Sequence, residues 1–539
     1  MEGRTSPESQ ENPSRRQGRE SRNMGRGLFS SSAGILLGRV TGLLRDICAA
    51  SFWGATGVFQ AAYHTAFAIP NSFRLLLGEG AFSNAFVPMV SGHLGQGDQE
   101  RAWRLACRAI SLQATVLLVG SLLLGGLAAL AGTSHLFPNE VTRTTFQVLP
   151  VLMPFTVLIC VAGAFASILN CLNSFFPATM AQGIFNLVQV ASLLLLGWGW
   201  TNQDEAALWL YCGSTLLAGF LQLLFLVLAC RRRGFAFHWD FSWRDPEVLL
   251  LCRRILPALL GAGVQQFNSL IDKFFGVMLG AAAVGALNYS QRLVYLPVGL
   301  FGVAMGMVAL PALSRAQARG DADDVREGLD YALTMVLFLA LPCTAFLLTT
   351  GRDVVILLFA RGAFQEEAIR ETTYTLLFYL AGIPAFCCAK VATQTFYARK
   401  DTTTPMKVAT TFLGVNFLLN LLLMRFFRQG GLALSTTLCS WSQVVVLLAL
   451  NRRMLPQWSF LPFLKSFFLL APAACLAAWL THTLVSLGAA SLPPMLPATL
   501  ARILRLLAEM GGFSLLYLLL CLLLRRREPR ELLQSLRRR

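Results

Sequence analysis

Six basic residues, Arg39, Arg45, Arg74, Lys273, Arg292 and Lys390, interrupt long apolar runs of the sequence. Each is a chemical statement, because an arginine at the centre of a membrane helix costs about 2.5–3.5 kcal/mol on insertion scales and must find water, a partner or the interface. At a rise of about 1.5 Å per residue, Arg39 lies about 16 Å into the first apolar run and Arg292 about 17 Å into the eighth. Arg74 follows Ile69-Pro70-Asn71, where a proline frees a helix carbonyl that must face protein or water. Three deep guanidinium groups predict a wet, cationic chamber. Arg45 adjoins Asp46, so local pairing explains it equally well. Lys273 adjoins Asp272, and Lys390 can reach toward Arg399 near the helix end, so structural roles are favoured for both lysines. Asp272, with Asn416 and Asn420 four apart on one helix face, is a candidate monovalent-cation site. The alternative for these three is an Asp272–Lys273 pair with interhelical amide hydrogen bonds.

The elements that must position these groups are membrane helices. The chain has 539 residues, 55% hydrophobic and 14% charged, with a mean hydropathy of +0.58, outside the usual range for soluble domains. Spans of about 20 apolar residues recur, and they lack the alternation that a barrel needs. We read about 14 of them: 28–52, a broken 57–94, 105–131, 143–173, 177–200, 205–230, 254–279, 281–313, 325–350, 366–398, 403–427, 430–451, 461–484 and 498–524. The expected fold is an all-α integral membrane protein of about 14 transmembrane helices, in two six-helix lobes followed by a C-terminal helix pair. The divisions expected are a disordered basic tail over 1–27, an N-lobe over 28–231, a cytoplasmic linker over 232–253, a C-lobe over 254–451, the last pair over 452–525 and a second basic tail over 526–539. Each lobe carries a helix interrupted by proline, Pro70 in the first and Pro297 in the second, the pattern that points to a transporter's binding site. Val354–Phe364 reads equally as an external interfacial helix or as an ordinary structured loop.

The formal charge of +17 does not imply nucleic acid, because position decides the partner. With the N-terminus cytoplasmic, roughly 30 of the Lys and Arg residues fall in cytoplasmic segments and fewer than about 10 outside, so both termini are expected in the cytoplasm. The 13 cysteines are scattered through apolar runs, and the five histidines are dispersed. No metal-ligand spacing and no catalytic constellation emerges, so a transporter is expected rather than an enzyme, without cofactor or metal.

Several stretches then resemble a known family. Gly38-Arg39-Val40-Thr41-Gly42-Leu43-Leu44-Arg45-Asp46, Ile69-Pro70-Asn71 with Arg74, and Gly78-Glu79-Gly80-Ala81-Phe82-Ser83-Asn84-Ala85-Phe86-Val87-Pro88 are similar to the MurJ (MviN) family of lipid II flippases. So are Tyr289-Ser290-Gln291-Arg292-Leu293 with Pro297, Phe359-Ala360-Arg361-Gly362-Ala363-Phe364, and Phe396-Tyr397-Ala398-Arg399-Lys400-Asp401 with Thr404-Pro405. The resemblance covers about 28–525. It implies the multidrug/oligosaccharidyl-lipid/polysaccharide exporter superfamily, two lobes around a cationic central cavity, and a last helix pair that forms a groove for a polyprenyl tail. It implies peptidoglycan biosynthesis in the bacterial cytoplasmic membrane, with lipid II carried from the inner to the outer leaflet by alternating access. Membrane lipids are the other expected partners, and a monomer is expected.

The family's cavity arginines fall on Arg39, Arg45, Arg74 and Arg292, expected to bind the diphosphate. Pro70, Gly78, Gly80 and Pro297 are expected hinges. Coupling to the membrane potential or to a monovalent cation is expected. The chain departs from the better-known members in having Gln60-Ala61 and Tyr295 where they carry acids. The remaining alternative is a related exporter of another polyprenyl-linked sugar or of drugs.

Overall fold

The computed structural model describes residues 34, 36–133, 139–199, 204–455, 458–489, 497–526 and 528–530. The expected tail over 1–27 lies outside these residues, as does most of 526–539. Among the described residues every regular element is helical. A first helix, α1, covers 36–53. It is followed by α2 (Val58–Phe73), α3 (Ala81–Gly95), α4 (Gln99–Thr133), α5 (Glu140–Cys171), α6 (Phe175–Gly199), α7 (Glu205–Arg231) and α8 (Pro246–Leu279). Then come α9 (Ala281–Pro297), α10 (Ala304–Ala318), α11 (Ala322–Phe359), α12 (Glu366–Leu380), α13 (Ile383–Ala398), α14 (Thr403–Phe427) and α15 (Gln429–Met454). The last two are α16 (Leu461–Ala489) and α17 (Ala498–Leu523).

Ten of the described helical stretches are long and apolar enough to cross a bilayer, α9 and α10 counting as one, and the pair α12–α13, bent by 42°, makes an eleventh. Three columns that fall outside this test are rich in polar groups. Helix α1 bears Arg39 and Arg45, α2–α3 is broken, and α8 carries Gln266, Asn268, Asp272 and Lys273 in its second half. Polar groups that lower mean hydropathy are the ones a transporter places inside a helix bundle.

The two prolines act differently. Pro70 sits within α2, and the break comes after it, as a π-helical turn over Arg74–Gly78 closed by the Glu79 amide donating to the Arg74 carbonyl at 3.0 Å. Pro297 ends α9, and a π-helical stretch Val298–Val303 follows at once. A ring that removes one i→i−4 bond is absorbed by a widened turn downstream, a common feature of functional helix sites. Val354–Phe359 continues α11 to its end instead of forming a separate interfacial helix.

The chain divides into two compact units. The first comprises the described residues of Met1–Ala49, Ala66–Pro138 and Arg143–Gly263, the second those of Ala50–Thr65, Asn139–Thr142 and Val264–Arg539. The core of the first unit is built on Phe82, Phe86, Leu105, Ile110, Phe165 and Ile168, next to an aromatic trio in which Phe155 lies 5.5 Å from Phe67 and 5.4 Å from Phe185. In the second unit α11 packs against α16 and α17, and α12 against α9. The turn after α1 is stitched into this unit, with the Ala363 amide donating to the Ser51 carbonyl at 2.8 Å and Gln60 donating to the Tyr289 hydroxyl.

Candidate functional site

The first unit encloses an open cavity of about 450 Å³. Arg39 on α1 and Arg74 at the start of the π-turn both line it, with Glu79, Ser83, Ser167, Asn170, Thr179, Gln182 and Gln222. Arg39 is exposed. Arg74 is more constrained: its Nε donates to Asn71 Oδ1 at 3.1 Å, and its Nη1 reaches Glu79 Oε1 at 2.5 Å. The wide π-turn brings Glu79 back beside Arg74. Gly78 belongs to this geometry by close approach, since a Cβ at Gly163 on α5 would collide with the Gly78 carbonyl. A Cβ at Gly80 would collide with the Leu75 carbonyl, so the chain can turn into α3 only with glycine there. Two cationic forks, one carboxylate and a ring of hydroxyls and amides suit a polyanionic headgroup that carries hydroxyls.

Arg45, also on α1, takes another place. Its guanidinium is paired with Asp46 at 2.9 Å, donates to Asn186 Oδ1 at 3.2 Å and lies 6.0 Å from the centre of the Phe185 ring. Asn186 in turn donates to the Gly38 carbonyl at 3.1 Å. This group braces α1 against α6 about two turns beyond the cavity residues Gly38 and Arg39. Arg292 lies in the second unit, exposed on α9.

The second unit brings together Asp272, Asn416 and Asn420, and adds Ser435 and Thr436 from α15. Asn420 Nδ2 donates to Asp272 Oδ1 at 2.8 Å and to Asn416 Oδ1 at 3.0 Å. Thr436 Oγ1 donates to Asp272 Oδ2 at 3.1 Å, Asn416 Nδ2 donates to Ser435 Oγ at 3.0 Å, and Ser435 donates to Asn420 Oδ1. All five are buried. One carboxylate among neutral oxygens is a donor set for a small hard cation. The Asp272–Lys273 pair is absent: successive side chains on a helix point about 100° apart, and Lys273 Nζ donates to the His64 carbonyl at 3.3 Å. Among the described residues, His, Cys, Asp and Glu form no cluster of three that could hold a metal.

With this geometry in hand, comparison with known proteins is decisive. A family model described as lipid II flippase MurJ matches residues 49–497. The chain belongs to the MurJ family. It is 31% identical over 427 residues to the probable lipid II flippase MurJ of Vibrio cholerae, a match covering 77% of this chain and 80% of that protein. Its fold is similar to a solved lipid II flippase MurJ in an inward closed conformation, with a TM-score of 0.73 at 21% identity, covering 92% of this chain and 99% of that one. It is also similar to an inward-facing multidrug resistance MATE transporter of the MOP superfamily, with a TM-score of 0.64 at 13% identity, covering 78% of this chain and 94% of that one.

Within this MurJ-family chain, the sequence reading missed Glu79 as the partner of Arg74, and Ser435 and Thr436 as donors around Asp272. Glu79 stood inside the matched Gly78–Pro88 stretch, and its distance of five residues from Arg74 becomes contact only once the turn is known to be π-helical. Ser435 and Thr436 carried no signal, being small polar residues on a long MurJ helix.

Proposed function

We propose that this protein moves lipid II from the inner to the outer leaflet of the bacterial cytoplasmic membrane by alternating access, with Arg39 and Arg74 engaging the diphosphate. Membership of the MurJ family supports the substrate, and the convergence of two arginines on one polar cavity in a unit of long apolar helices carries the mechanism. Lipid II joins a diphosphate, a glycopeptide and an apolar tail. A carrier must solvate the first two and leave the third in lipid, which a polar cavity among membrane helices does. Guanidinium groups match diphosphate oxygens two at a time. Arg292 contributes a further anion contact from the second unit, and Arg45 acts on Arg39 by holding α1 against α6. Bending is carried by the π-turns after Pro70 and Pro297 and by the glycine pair Gly78 and Gly80.

Both termini lie in the cytoplasm on this reading, as the arginine distribution favours. An inside-negative potential is worth about 2.3 kcal/mol per charge per 100 mV and favours outward passage of the anionic headgroup. The oxygen cluster around Asp272 supplies the coupling-cation site. The test is complementation of a strain depleted of its own lipid II flippase. The unmodified chain restores growth, and Arg39→Ala and Arg292→Ala do not. Growth restored equally by all three overturns the arginine mechanism, and no growth with the unmodified chain overturns the substrate.

A further inference from the structure

Among the described residues, Lys273 and Lys390 of the second unit have no counter-ion. The neighbour in sequence of Lys273, Asp272, is turned into the Asn420 and Thr436 hydrogen bonds. Lys273 itself reaches the His64 carbonyl, in a narrow pocket that it shares with His64, Asn288 and Gln291, and it feels the charge of Arg292. Lys390 on α13 makes no side-chain ion pair or hydrogen bond among the described residues. A half-buried ammonium group inside an apolar bundle is costly without a partner.

The register of the helices places these charges at different depths. Measured from the α8–α9 turn at Gly280, Lys273 lies about 10 Å along α8 and Arg292 about 18 Å along α9. Lys390 is placed by its contacts with the same column. A Cβ at Gly302 would meet Cys387 Cα at 2.9 Å, and one at Gly306 would lie 3.7 Å from the Lys390 carbonyl oxygen. These contacts set Lys390 about 33–39 Å along that column. The faces match as well: Tyr295, three residues beyond Arg292, has its ring 6.4 Å from that of Phe386, one turn before Lys390. Asn288, one turn before Arg292, shares its side of α9, while Gln291 is oriented by donating to the Tyr379 hydroxyl at 2.8 Å.

We propose that Lys273, Arg292 and Lys390 form a ladder of anion contacts through the second unit, the two lysines serving as steps on either side of the arginine for the phosphate-bearing headgroup of a polyprenyl lipid. The inference rests on the lipid-transport reading above and extends it to two residues outside the arginine set. An anion crossing a low-dielectric region is stabilised by fixed positive charge at successive depths, and a single midplane site would instead leave it uncompensated at both ends of its path. Lysine suits intermediate steps, because a point charge on a flexible stem contacts the phosphate without the bidentate grip that slows release.

The test uses the full-length chain in lipid nanodiscs, with undecaprenyl diphosphate and the neutral undecaprenol as probes. Lys273→Met and Lys390→Met each weaken diphosphate binding about tenfold, leave undecaprenol binding unchanged and keep the melting temperature at or above that of the unmodified chain. Lys273→Arg and Lys390→Arg restore binding. Methionine variants that bind the diphosphate as tightly as the unmodified chain overturn the ladder. If the lysine effects are seen but the chain fails to replace a lipid II flippase in cells, the ladder stands and the lipid II reading falls.

Discussion

Arg74 and Glu79 face each other across a single π-helical turn, with Nη1 and Oε1 2.5 Å apart. On the proposed mechanism, the carboxylate competes with the diphosphate for Nη1 of this guanidinium. Glu79 is 53% exposed at its side chain, so the pair adds little stability, below about 1 kcal/mol. Glu79→Gln is therefore expected to leave the melting temperature nearly unchanged, to tighten diphosphate binding about three- to tenfold, and to slow turnover through slower release. Equilibrium binding and a flipping rate on the same preparation check this. Weaker binding in Glu79→Gln would show that Glu79 orients Arg74 and does not compete for it.

Backbone contact between Gly78 and Gly163 gives a second expectation. Gly163→Val forces a branched side chain against the Gly78 carbonyl and is expected to destabilise the first unit by about 1–3 kcal/mol, with loss of transport. Gly126→Ala is the control, since a Cβ there meets nothing within 4 Å. Equal melting temperatures for the two variants would remove the close packing from the account.

For the Asp272 cluster, sodium is expected to raise the melting temperature of the unmodified chain more than choline does, and Asp272→Ala is expected to abolish the difference. The same substitution leaves the Asn420 amide and Thr436 hydroxyl without an acceptor, costing about 1–3 kcal/mol for each donor. A sodium effect that persists in Asp272→Ala places the cation elsewhere.

Outside the membrane spans, the α7–α8 linker is clasped by Arg108, whose Nε donates to Asp240 Oδ2 at 2.8 Å and whose Nη1 donates to Asp245 Oδ2 at 2.6 Å. Partial burial opposes ionisation of Asp240, but hydrogen bonds with Ser242 and Arg108 outweigh it and hold its carboxyl down to about 2. In the unfolded chain the group titrates near 3.9. A folded value below the unfolded one means that stability from this carboxylate is fully present above about pH 4 and is lost as pH falls toward 2. Melting curves are expected to show no pH dependence from Asp240 between pH 5 and 8, where its contribution is complete, and a loss below pH 4 that is smaller in Asp240→Asn. An equal acid loss in both chains would assign the effect to other carboxylates.

The parts legible in the sequence were those with a large local energy. Arg39 and Arg74 stood out because charge in an apolar run is expensive, and the structure sets both on one cavity. The helical class followed from the length of the apolar runs. What stayed hidden depended on partners distant in sequence or on helix phase. Asn186 lies far along the chain from Arg45, so the brace it forms with Arg45 and Asp46 could not be separated from a binding role. Asp272 and Lys273 looked like an ion pair because they are adjacent, but helical phase sends one to Asn420 and the other to His64. Pro70 and Pro297 marked the bends, though the bends themselves are π-turns one residue to one turn downstream. Val354–Phe364 read as an interfacial helix or a structured loop because a short apolar stretch beside Arg361 looks the same as the end of a long membrane helix, which Val354–Phe359 is.

The most direct measurement of the central claim is lipid II translocation in proteoliposomes under an imposed potential, with the unmodified chain beside Arg39→Ala and Arg74→Ala. The account requires transport by the unmodified chain that accelerates when the lipid II-loaded face is negative, and a loss of about 100-fold or more in each variant, two charge-assisted contacts being worth about 3 kcal/mol or more. Transport at equal rates in all three chains, whatever the potential, would contradict it.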